Sequence, residues 1–178
     1  LSPDKMPQIA AVEEAAESLS RLYPDIKWVI DVYGDGPLKA VYEQRYAALS
    51  RRLANVSYKF HGWVAPHEVP ILMNRAYLTV TAGMAGMRAL AAGSLCLGAG
   101  ARDTVGIQVN RNLRAGLWSN FGDHGVLRFQ ASSISDDLSR YAVSEAYDDA
   151  IERARVAVEN GNHQEIVNKL MLSALQCT

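Results

Sequence analysis

The segment Lys27–Pro37, KWVIDVYGDGP, constrains the fold of this chain more than any other. Trp28, Val29, Ile30, Val32 and Tyr33 make a short β-branched and aromatic run, read as a buried strand. It leads straight into the turn Gly34-Asp35-Gly36-Pro37, and Leu38, Val41, Tyr42, Leu49 and Leu53 mark a helix behind it. Such a β-turn-α unit is where open α/β sheets bind phosphorylated ligands. Two glycines permit backbone angles and close approach that side chains forbid, and the turn is expected to leave amide N–H groups free to meet an anion. A purely geometric reading stands beside it, because strand-to-helix turns carry glycine for conformational reasons alone.

The rest of the chain continues the alternation. Ile9, Val12, Ala16, Leu19 and Leu22 step by three and four, which predicts a helix from about Pro7 to Leu22, stopped by Pro24 and Asp25. Val56–Phe60 reads as a strand, Pro66 as the start of a short helix, and Tyr77–Val80 as a third strand. Met84–Ala92 reads as a helix capped by Gly93, followed by a strand over Leu95–Leu97. These lengths predict an α/β fold, a Rossmann-like parallel sheet with helices on both faces. From Gly106 to Gly125 the sequence reads as a loop rich in Gly, Asn and Arg, then a strand over Val126–Gln130. Helices are expected at about Ser135–Ser144, Tyr147–Asn160 and His163–Gln176.

Composition narrows the function classes. The chain has 178 residues, 49% hydrophobic and 21% charged, which fits a single globular domain with a core of useful size. A formal net charge of -1 with scattered Lys and Arg argues against a nucleic-acid partner. No apolar run reaches the roughly 18 residues of a membrane span, so no transmembrane segment is expected. Cys96 and Cys177 lack CxxC spacing and read as free thiols of a reducing, cytoplasmic compartment. His61 and His67 have no ligand spacing with another His or Cys, so no metal is expected. The chain begins with Leu1 rather than Met and enters a helix within a few residues, which suggests a piece of a longer polypeptide.

The order of four blocks carries a resemblance. LSPDK, VYGDGPLKAVYEQ, NVSYKFHGWVAPHEVPILMNRAYLTV and RALAAGSLCLGAGARDTVGI together resemble the C-terminal half of GT-B fold glycosyltransferases of the large group 1 family, over residues 1 to about 106. The resemblance implies one half of a GT-B fold with added C-terminal helices, and a site for a nucleotide-diphospho-sugar. The acceptor would lie on the protein's own N-terminal domain. No cofactor or metal is implied.

Carried over by position, Lys5 matches a lysine that contacts the donor diphosphate, which suits an ammonium neutralising phosphates and stabilising a nucleotide leaving group. Gly34 and Gly36 would approach the phosphates. Gly62, Trp63 and Val64 match the loop where backbone groups meet the nucleobase edge, and Trp63 reads either as a cover for base or ribose or as core packing. Gly83 and Gly86 keep backbone close to the pocket, as in the shorter loop of related lipid-linked N-acetylglucosamine transferases.

The departures bear on catalysis. Family members carry one glutamate in the loop that handles the sugar and another at the helix that meets the ribose. Here the segment 81–86 holds no carboxylate, Arg88 occupies the second position, and Thr104 stands about where a later glutamate is usual. Arginine only donates and stays charged, so it cannot accept from ribose hydroxyls. Arg88 reads either as a grip on an anionic group or as a surface residue. Three function classes follow: a glycosyltransferase donor domain, a non-catalytic relative that binds a nucleotide sugar or a protein, and a sugar-nucleotide epimerase-like enzyme. For the third, Asp103 and His124 are the loop residues that could serve as acid and base, and each reads equally as a structural or solvent-exposed residue.

Overall fold

The computed structural model describes residues 1–126, 129–141 and 144–162. A 3-10 turn over Pro3–Lys5 leads into α1 (Met6–Leu22), and then β1 (Trp28–Tyr33), α2 (Lys39–Arg52), β2 (Val56–Gly62), α3 (Val69–Arg75), β3 (Thr79–Thr81), α4 (Met84–Ala91) and β4 (Cys96–Ala99) follow. These elements match the alternation read from hydrophobic spacing, with boundaries moved by a few residues. The short helix starts at Val69, with Pro70 in its first turn, because Pro66 lies in the turn before it.

The strands form two hydrogen-bonded sets. β1 and β2 pair in parallel with Trp28 opposite Val56, and the register shifts at Val32/Tyr33. β3 and β4 pair in parallel from Thr79 opposite Cys96. β5 (Thr104–Ile107) then turns back and pairs antiparallel with β4, Leu97 opposite Ile107. The architecture is therefore α/β with small parallel and mixed sheets, compatible with a Rossmann-like arrangement. No hydrogen-bonded ladder joins β1 to β3 among the described residues.

Burial explains which faces are covered. On β4, Leu97 and Ala99 pack against Ala11, Ala15 and Leu19 of α1, whereas Cys96 faces Ala89 and Leu90 of α4 and Phe121. Helices thus cover both faces of this second sheet. The β1–β2 pair differs from expectation: its burial alternates, with Val32 inward and Val29, Asp31 and Tyr33 exposed. Ile9, Tyr42 and Tyr46 cover the inner face. β1 is a half-buried strand because Asp31 and Tyr33 sit at alternate positions that the pleat sends outward.

Beyond β5 the expected loop is instead a helix, α5 (Asn110–Ser119). Its polar composition hides tertiary anchoring: Asn112 is fully buried and donates from Nδ2 to the Ile107 carbonyl at 3.0 Å and to Asp137 Oδ2 at 3.1 Å. The strand expected at Val126–Gln130 does not form at the described residues 126, 129 and 130, where the Phe129 N–H turns back to the Val126 carbonyl at 3.3 Å. Helices α6 (Ile134–Tyr141) and α7 (Ser144–Asn162) match the next two expectations, and the helix expected at His163–Gln176 lies outside the described residues. No helix among the described residues is long and apolar enough to cross a membrane.

Candidate functional site

The glycine turn after β1 does not hold its amides free, which corrects the expectation from its sequence. The Gly34 N–H donates to the Gly62 carbonyl at 2.7 Å, and the Gly36 N–H is taken by Asp35 Oδ1 at 2.7 Å. The Leu38 N–H goes to the Leu1 carbonyl at 3.2 Å, while the Leu1 ammonium donates to the Asp35 carbonyl at 2.7 Å. A Cβ on Gly36 would stand 2.6 Å from the Leu1 carbonyl oxygen, so this glycine makes room for the backbone of Leu1. A Cβ on Gly34 or Gly62 would meet nothing within 4 Å. Their positive φ values of 113° and 70° are what glycine supplies there, and the space beside them is open.

The packed turn has a use at Lys5. Residues 1–5 are clamped beside Gly36, and the Tyr42 hydroxyl on α2 donates to the Lys5 carbonyl at 2.8 Å. Burial pushes the Tyr42 phenol up to about 12, so it remains a donor at neutral pH. The Lys5 ammonium then lies 3.4 Å from Asp123 Oδ1 and 3.6 Å from Asp4 Oδ2. Asp4 is in turn held below its ordinary value, chiefly by the hydrogen bond from the Ser2 hydroxyl.

Asp123 joins Lys5 to the second sheet. Its Oδ1 also accepts the Ala101 N–H at 3.2 Å, just past the end of β4. Its Oδ2 would stand 2.8 Å from a Cβ built on Gly83, the N-cap of α4 just past the end of β3. Gly83 has φ 62° and no side-chain cap hydrogen bond. Lys5, Gly83, Ala101 and Asp123 thus converge at the carboxyl ends of β3 and β4, beside the positive end of the α4 dipole. The loop that delivers Asp123 is itself fixed, since Asn120, Phe121 and Gly122 all have positive φ. The Arg102 and Asp103 N–H groups both donate to the Gly122 carbonyl, at 2.9 and 3.0 Å.

The remaining candidates separate. Trp63 is 81% exposed, which removes core packing as its role, and Val64 beside it is half-buried. Gly86 serves packing against Phe121. Arg88 is exposed in the last turn of α4, four residues after exposed Met84 and hence on the same helix face, with no ion-pair partner among the described residues. Asp103 is structural: its Oδ2 accepts the Val126 N–H at 2.8 Å. His124 and His67 are exposed in turns. His61 has partners that spacing did not suggest, with Nε2 2.6 Å from Asp31 Oδ1 and its ring stacked 4.6 Å from that of Tyr33. Among the described residues no group of three or more His, Cys, Asp and Glu could hold a metal ion.

Asp123 is the site residue that sequence reasoning missed. It lies 118 positions from Lys5, so no local spacing connects them. The one local signal is the Asn-Phe-Gly run before it, whose positive φ values aim the carboxylate.

No family model matches this chain, and no curated protein is significantly similar to it.

Proposed function

We propose that this chain is the donor-binding half of a glycosyltransferase, holding a nucleotide-diphospho-sugar at the carboxyl ends of its strands. The acceptor would be held by a further, N-terminal domain of the same protein. The observation that carries the reading is the convergence of the Lys5 ammonium and the Ala101 N–H on one anionic oxygen beside the α4 N-cap. Two donors on one oxygen, with a helix N-terminus close by, suit a phosphate oxygen.

In this reading Lys5 neutralises the diphosphate and stabilises the nucleotide as it leaves the sugar, so transfer needs no metal among the residues named. The open space beside Gly34 and Gly62 admits the nucleotide backbone, and the exposed indole of Trp63 offers a face for base or ribose. Arg88 lies on the same face of α4 as Met84, about one turn from the helix's N-terminal end. A second reading, a binding domain without turnover, draws on the segment 81–86, which carries no carboxylate to handle a transferred sugar.

Calorimetric titration with UDP, GDP, ADP and their sugar conjugates, at low salt and without metal, tests the proposal. Saturable binding of one nucleotide diphosphate, weakened in Lys5→Met, is the expected result. Binding that Lys5→Met leaves unchanged would remove the phosphate site from Lys5.

A further inference from the structure

We propose that Asp123 is an internal mimic of the ligand's phosphate: its carboxylate occupies the anion position and is displaced when a diphosphate binds. The inference rests on the reading that Lys5 meets phosphate, and it deepens that reading by naming what regulates the same site.

The asymmetry of the carboxylate carries the argument. Oδ1 accepts from Lys5 Nζ at 3.4 Å and from the Ala101 N–H at 3.2 Å, whereas Oδ2 accepts no hydrogen bond among the described residues. Oδ2 instead faces Gly83, where only a glycine leaves room for it. Both contacts of Oδ1 are long, at the weak end of the hydrogen-bond range. A phosphate oxygen placed where Oδ1 now lies would inherit both donors, beside the N-cap of α4.

Displacement is feasible on energetic grounds. The Lys5 and Asp123 side chains are 30% and 24% exposed, and such part-exposed ion pairs contribute at most about 1 kcal/mol. A diphosphate brings more charge than the carboxylate it replaces, and charge-assisted bonds to phosphate are shorter and stronger than those seen here. The exchange swaps one anion for another, so Lys5 is never left unpaired. Asp123 thereby sets a threshold: a ligand with a single weak negative charge gains little by replacing it.

The test is calorimetric titration of inorganic pyrophosphate at low salt into the wild-type chain, Asp123→Asn and Lys5→Met. Asparagine retains a carbonyl oxygen for the Ala101 N–H but lacks the charge that competes for Lys5. Asp123→Asn is expected to bind about fivefold more tightly, the worth of the pair it abolishes. Lys5→Met is expected to bind more weakly than wild type. Saturable binding only in Asp123→Asn would support the inference most strongly. Unchanged or weaker binding in Asp123→Asn, with wild-type binding that still depends on Lys5, would overturn the mimic while leaving the phosphate reading in place. Binding indifferent to Lys5→Met, or absent from both wild type and Asp123→Asn, would overturn both.

Discussion

Gly86 of α4 lies flat against the ring of Phe121: a Cβ added there would stand 2.4 Å from the ring's Cγ. Phe121 is fully buried and held at φ 58°, so the ring cannot retreat. Replacing Gly86 by Ala gains up to about 1 kcal/mol of helix propensity. The overpacking it causes costs about 1–3 kcal/mol and outweighs that gain. Gly86→Ala is therefore expected to lower the urea midpoint with an unchanged m-value. A raised midpoint would show that Phe121 has room to move.

The same loop links stability to the site, because Phe121 is two residues from Asp123. Gly83 cannot take a Cβ without pushing on Asp123 Oδ2 at 2.8 Å. Gly83→Ala is expected to loosen Asp123 from Lys5 and to cost roughly 1–3 kcal/mol, because φ 62° with ψ -149° is a conformation essentially reserved for glycine. Amide exchange at Ala101, measured by NMR, should quicken in this variant. Unchanged exchange at Ala101 would mean that Asp123 does not protect it.

Arg88 sits on the exposed face of α4 without an ion-pair partner among the described residues. If the donor's anionic groups reach it, Arg88→Ala should weaken nucleotide-diphosphate binding by about 1.5–3 kcal/mol, the range for hydrogen bonds to charged groups. Arg88→Glu should weaken it further. An affinity unchanged in both variants would reduce Arg88 to a surface residue.

The buried pair Asn112 and Asp137 predicts a pH effect. Burial pushes the Asp137 carboxyl above its ordinary 3.8, against hydrogen bonds from Ser132 and Asn112 that act the other way. The folded chain therefore keeps this proton to higher pH than the unfolded chain does. The contribution of Asp137 is most favourable below 3.8 and declines as pH rises from there through the folded-state value. Urea midpoints of wild type should fall relative to those of Asp137→Asn across that window. A gap between the two proteins that does not change with pH would contradict the assignment.

Cys96 is buried on β4, and desolvation pushes its thiol up to about 12. In a Cys177→Ser variant, thiol-directed reagents at pH 8 should react only as fast as the chain unfolds. Rapid labelling of the native chain would show that this face of β4 opens.

How much of this was legible depends on how local the determinants are. α1, β1, α2 and β2 follow from apolar spacing, because Ile9, Leu19, Val32, Tyr42 and Leu49 lie on faces set by the period of their own element. β5 and α5 do not, since their determinants are reciprocal. Gly116 is small because a Cβ there would stand 1.8 Å from the Gln108 amide oxygen, and Gly98 because a Cβ would meet Val105 Cγ2 at 2.7 Å and Gln108 Nε2 at 2.9 Å. A sequence shows such glycines as breakers until their partner is placed. The open face of β1 is hidden for the opposite reason: a hydrophobic run suggests burial, and only the pleat shows that Val29 and Tyr33 point outward. At the site, Lys5 and Gly83 could be singled out by position, but the carboxylate that joins them required the fold.

The most direct test of a phosphate site at the carboxyl ends of β3 and β4 is an amide-resolved NMR titration with UDP, GDP and ADP, without metal. The account predicts that one of them gives saturable shifts at Gly83, Met84 and Ala101, and that these shifts weaken in Lys5→Met. Saturable shifts confined to residues away from these three, or no shifts with any nucleotide, would contradict it.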